Sequence, residues 1–135
     1  MRQKGETPGS PAHWLARAKA DLALAQIQPP EGGLYEDLCF HAQQAAEKAL
    51  KAVYIAQGWP FRYVHVLEEL ITGLRTRGLQ VPDEVAKAVR LTDYAFSTRY
   101  PGPAEPVSKQ EHAQAVELAN MVVQWAKATV EKRTS

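Results

Sequence analysis

A single cysteine, Cys39, stands in 135 residues, so neither an intramolecular disulfide nor a cysteine-based zinc cluster can form. No apolar run approaches the roughly 18 residues that a membrane helix requires. The first nine residues are polar and hold no apolar stretch of the kind a signal peptide needs, so a soluble, cytoplasmic domain is the expectation. An excess of one charge is missing as well: 16 Lys and Arg stand against 15 Asp and Glu, a formal net charge of +1. That balance excludes a strongly basic arm or an acidic tail as the main binding device, and any nucleic-acid contact has to come from a local site. Alternation with period two is absent over any useful length, which removes strands from the reading. What remains is an ordinary globular mixture, 45% hydrophobic and 23% charged, in a length that suits one domain with a real core.

Glycine and proline divide the chain into clean blocks. Residues 1–10 lack periodicity and read as a mobile tail, with a single domain over 11–132. Ser10-Pro11 has the form of a helix start, and Leu15, Ala18, Leu22 and Ala25 give a first helix running to Ile27 before Gln28-Pro29-Pro30 stops it. Leu34 to Gln57 contains no Gly or Pro and is crowded with helix formers. Leu38, Ala42, Ala45, Ala49, Ala52 and Ala56 form a seam of mostly small side chains that lets another helix approach closely, so this is the expected central helix of a bundle. Gly58 ends it. A third helix is expected from His65 to Arg77, with Leu67, Leu70, Ile71 and Leu74 inward and Gly78 as its stop. The fourth starts at Pro82-Asp83-Glu84, faces inward through Val85, Ala88, Val89, Thr92, Ala95 and Phe96, and ends near Tyr100, since Pro101 disfavours helical geometry before it. Ser108 and Glu111 have capping-box spacing for a fifth helix reaching Lys132. That helix carries two apolar stripes, Ala115-Leu118-Val122-Trp125 and Val116-Ala119-Val123; one serves the core and the other suits burial elsewhere, such as against a partner chain. The fold class is all-α, an up-and-down bundle of about five helices around a four-helix core.

The chemistry-bearing residues are sparse. His13, His41, His65 and His112 form no helical metal pair, and Gly32-Gly33 follows no strand, so neither a metal nor a phosphate loop is indicated and no cofactor is expected. The unusual stretch is Asp93-Tyr94-Ala95-Phe96-Ser97-Thr98-Arg99-Tyr100-Pro101-Gly102, where an Arg and two Tyr meet at a helix stop. Arg offers bidentate hydrogen bonds to phosphate and Tyr adds a stacking face with a hydroxyl. The same residues also suit a structural role, with Arg99 on the last carbonyls of its helix and Tyr94 and Tyr100 packed on neighbours.

Phe40-His41-Ala42-Gln43-Gln44-Ala45-Ala46-Glu47-Lys48-Ala49-Leu50-Lys51-Ala52, followed by Ser97-Thr98-Arg99-Tyr100-Pro101, resembles the HEPN family of nucleotide-binding helical domains. The likeness spans Trp14 to Val130. It implies a helical bundle that forms homodimers, and in many members a minimal nucleotidyltransferase partner in a toxin–antitoxin pair. It also implies, for ribonucleolytic members, an Arg followed after four to six residues by a His, the Arg stabilising phosphate charge and the His acting as general acid or base.

This sequence keeps the Arg and lacks that His: after Arg99 the next histidine is His112, with twelve residues between. Glu105 has the right offset, yet an ordinary Glu titrates near 4.3 and is a poor acid at neutral pH. The departure favours a binding module over a nuclease. Under the resemblance, the ligand-binding candidates are Arg99, Tyr100, Tyr94, Glu47 and His41, with Arg99 and Glu105 the catalytic ones if any exist. Tyr100 is also a conceivable acceptor of a transferred group. Glu47 reads either as a partner for Arg99 or as an exposed helix carboxylate beside Lys51, and Lys48 and Lys51 read as a solvated face. Cys39 reads as a small buried hydrophobe, and Trp14, Trp59 and Trp125 as packing anchors. Two rivals stand beside the binding reading: a metal-independent ribonuclease toxin using Arg99 with Glu105 or a displaced His112, and a noncatalytic oligomerisation module.

Overall fold

Ser10 opens the first helix as its side chain allows: its Oγ accepts the His13 N–H at 3.1 Å, and Pro11 takes the first helical position, where a missing N–H is harmless. Helix α1 spans Pro11–Ala25, two residues short of the expected end. In this computed structural model residues 8–61, 66–96 and 106–134 are described, and among them no strand occurs. Helix α2, Tyr35–Gln57, stops at Gly58, whose φ of +76° is the left-handed conformation that glycine adopts without penalty.

Helix α3, Leu67–Thr76, is shorter than expected, and His65 lies outside the described residues. No side chain within the segment caps its start; Thr92 does so from a distance, its Oγ1 accepting the Leu67 N–H at 3.1 Å. The expected inner face, Leu67, Leu70, Ile71 and Leu74, is buried.

The expected single fourth helix is three pieces in unbroken succession: α4 (Asp83–Ala86), a 3₁₀ stretch (Lys87–Thr92) and α5 (Asp93–Phe96). The tighter winding moves the inward face. Val85, Ala88 and Leu91 are buried at steps of three, the 3₁₀ period, so Leu91 takes the inner position expected of Thr92. Thr92 instead serves α3, and Val89 is half-buried. Residues 97–105, and with them the expected end at Tyr100, lie outside the described residues.

Helix α6, Lys109–Thr134, begins with the expected reciprocal cap: the Ser108 N–H donates to Glu111 Oε1 at 3.2 Å and the Glu111 N–H to Ser108 Oγ at 3.1 Å.

Helix α2 is the centre. It packs against α1, α3, the 3₁₀ stretch, α5 and α6. Leu38, Ala42, Ala45, Ala49 and Ala52 of the expected seam are buried, joined by Ala46, Leu50 and Val53; Ala56 is half-buried. Helices α1 and α2 run antiparallel, because Trp14 lies beside Lys51 while Asp21, further along α1, meets the earlier His41. The start of α6 is fastened beside the start of α2, where the Val107 N–H donates to Glu36 Oε1 at 2.7 Å. From α6, Ala115, Ala119, Val122, Val123, Ala126 and Val130 enter the core, while Val116, Leu118, Met121 and Trp125 are half-buried against it.

Candidate functional site

Gln43, Glu47 and Lys51 recur every four residues on α2, which stacks them one turn above another along a single line. All three are inside the protein, at 0%, 3% and 5% exposure. Glu47 accepts from Gln43 Nε2 at 3.1 Å and from Lys51 Nζ at 2.9 Å. Gln43 in turn accepts from Gln44 Nε2 at 2.7 Å. The Lys51 ammonium also sits 5.8 Å from the Trp14 ring centre and 5.4 Å from that of Phe61, within cation–π range of both. The exposed carboxylate and the solvated Lys51 expected from the sequence are therefore corrected: Trp14 of α1 and Phe61, beyond the end of α2, lie over this face. A buried ion pair of this kind loses much of its attraction to desolvation, so stability alone is a weak reason for it.

One helical face away, His41 and Lys48 meet a residue the sequence reading did not single out. Asp21 accepts from His41 Nδ1 at 3.0 Å and from Lys48 Nζ at 2.5 Å. Its signal was available: a lone carboxylate interrupting the Leu15-Ala18-Leu22-Ala25 face, and buried with it. Lys48 is half-buried and paired rather than part of a solvated face. With Nδ1–H donated to the carboxylate, the neutral His41 ring presents Nε2 as a proton acceptor. Its side chain is one-third exposed, so that nitrogen belongs to a ring within reach of solvent.

Tyr94 is half-buried and its hydroxyl bonds with the Cys39 thiol. Burial, and after it the nearby Glu111 carboxylate, pushes the Cys39 thiol up to about 11. Burial and then Cys39 itself push the Tyr94 hydroxyl up to about 12. Both are neutral at physiological pH. His112 is a structural tie: its Nε2–H donates to the Ala25 carbonyl at 2.6 Å, beside the Tyr35 ring, 5.1 Å between centroids. Arg99, Tyr100 and Glu105 lie outside the described residues. Of the sequence candidates, the structure thus gathers Glu47 and His41 onto α2, in adjoining polar rows that meet α1 through Lys51 and through His41 and Lys48, and sets Tyr94 apart against Cys39.

The geometry and the sequence converge on one description, the HEPN domain, whose family model matches residues 12–129, from the first turn of α1 to the last turns of α6. The chain belongs to the HEPN family. The crystal structure of TT1696 from Thermus thermophilus superposes on this HEPN domain with a TM-score of 0.76 and 32% identity, over 88% of this chain and 97% of that one. ST0689, an archaeal HEPN homologue, gives a TM-score of 0.71 at 25% identity, over 90% of this chain and 98% of the other. No match was found among proteins of curated function. The fold, an all-α bundle without strands among the described residues, is therefore that of the HEPN homologues, and no helix among those residues is long and apolar enough to cross a membrane.

Proposed function

We propose that this HEPN domain is the nucleotide- or RNA-binding member of a toxin–antitoxin pair, acting as a homodimer beside a minimal nucleotidyltransferase. One observation carries the reading. The Gln43-Glu47-Lys51 line places an amide and an ion pair on the buried face of α2, among alanine and larger apolar side chains, an arrangement that bundle stability does not call for and that ligand sites use to orient what they bind. Arg99 supplies the phosphate-binding guanidinium and Tyr100 a stacking face, with Glu47 and His41 as further contacts. The absence of a His four to six residues after Arg99 leaves recognition without the companion acid or base, so the partner supplies the phosphoryl-transfer chemistry. Labelled ATP and short RNA titrated against wild type and Arg99→Ala test this. The expected result is at least tenfold weaker binding by the variant, and equal affinities would remove Arg99 from the site.

A ribonuclease reading draws on a different observation, the Asp21–His41 pair, in which a carboxylate fixes the imidazole as a proton acceptor. It expects RNA cleavage in EDTA that is lost in both Arg99→Ala and His41→Ala; cleavage surviving His41→Ala would end it.

A further inference from the structure

Beyond Lys48 the α1–α2 seam opens into a cleft of about 370 Å³ lined by Gly9, His13, Trp14, Arg17 and Lys48. That volume lies at the lower end of small-molecule sites. His13 and Arg17 are four residues apart on α1, and Trp14 and Arg17 three, so helical periodicity sets all three on one side. Arg17 is exposed, and among the described residues its guanidinium has no hydrogen-bond or ion-pair partner. Lys48 is held at the cleft by Asp21 and keeps further ammonium protons to donate. His13 Nδ1 accepts the Gly9 N–H at 2.9 Å, so the neutral ring must carry its proton on Nε2, a third donor. Trp14 is a firm wall. Its ring stands edge-on to Phe61, 5.8 Å between centroids at 88°, with the Lys51 ammonium on it.

The charge balance favours an anion. Two cations, Arg17 and Lys48, face one carboxylate, and Asp21 is already occupied by His41 and Lys48. A guanidinium fork, an ammonium and an imidazole N–H offer more donors than a carboxylate ligand can accept well, and they suit the three oxygens of a terminal phosphate. An aromatic wall beside them suits an organic group joined to that phosphate.

We infer that this cleft binds a small phosphomonoester, its phosphate between Arg17 and Lys48 and its organic part on the Trp14 ring. The inference rests on none of the residues 97–105 and stands whether or not the reading built on Arg99 does.

Amide NMR titrations of the full chain with inorganic phosphate, ribose 5-phosphate, AMP and adenosine test it. The phosphorylated probes should shift the amides of Gly9 to Arg17 and of α2 around Lys48, and adenosine should not. Arg17→Glu changes an exposed side chain and should weaken AMP binding at least tenfold at unchanged melting temperature; Lys48→Met should weaken it likewise but lower the melting temperature, because the buried Asp21 loses its ammonium partner. Trp14→Leu should weaken AMP more than inorganic phosphate. Should AMP leave these amides unmoved or shift only others, or should Arg17→Glu bind it as wild type does, the proposal is overturned. Equal binding of adenosine would overturn the phosphate assignment.

Discussion

Lys51 and Glu47 neutralise one another where water is nearly absent, so removing one ion leaves the other without this partner at high cost. Lys51→Met is expected to lower stability by about 3 to 5 kcal/mol in urea unfolding. Adding Glu47→Gln to it should recover part of that loss, because the carboxylate is then no longer charged; a double variant as unstable as the sum of the singles would deny the coupling. Cys39 and Tyr94 respond to pH instead. Folding raises the thiol from an ordinary 9.0 to about 11 and the phenol from 10.0 to about 12, so the unfolded chain gives up these protons first. Their contribution is therefore fully present below about pH 9 and is lost as pH rises toward 11 to 12. The urea midpoint should fall between about pH 8 and about pH 10.5, and fall less in Tyr94→Phe. A wild-type midpoint that does not move would contradict the burial of this pair.

Among the elements, α2 and α3 touch where Gly73 leaves room for Tyr54, whose hydroxyl donates to the Leu70 carbonyl at 2.6 Å. A methyl group on Gly73 would overlap that hydroxyl. Helix propensity alone favours Ala over Gly by about 1 kcal/mol, so a destabilised Gly73→Ala would show that contact outweighs propensity. The expected outcome is a melting temperature below wild type, restored at least in part when Tyr54→Phe removes the obstructing oxygen. Local chemistry made most elements readable in advance. The Ser10 and Ser108 caps and the Gly58 and Gly78 stops act within a few residues of the chain, and so leave a mark in sequence. The 3₁₀ stretch left none. Its winding matches a long-range demand, Thr92 reaching Leu67 across 25 residues, and the expected inner positions 85, 88, 89, 92, 95 and 96 fit an ordinary helix equally well. The candidate site divided the same way. The motif marked α2, yet which of its charges faced inward depended on Trp14 and Phe61, and Asp21 showed only as an oddity on an apolar face.

For the whole molecule, the proposed two-fold arrangement has a direct measure. Light scattering should give twice the 15.0 kDa chain mass, and a single-chain mass at micromolar concentration would remove the homodimer from the proposed function. The framework behind any such assembly rests on α2, whose neighbours come close where Ala42, Ala45, Ala46, Ala49 and Ala52 face them. Such a contact surface has little side chain left to trim and no vacancy to fill. Mutational tolerance along it should therefore be lopsided: serine or glycine would be survivable, whereas valine or leucine at any of these five places would wedge the helices apart. The protein can drift in sequence around its rim far more freely than along its spine.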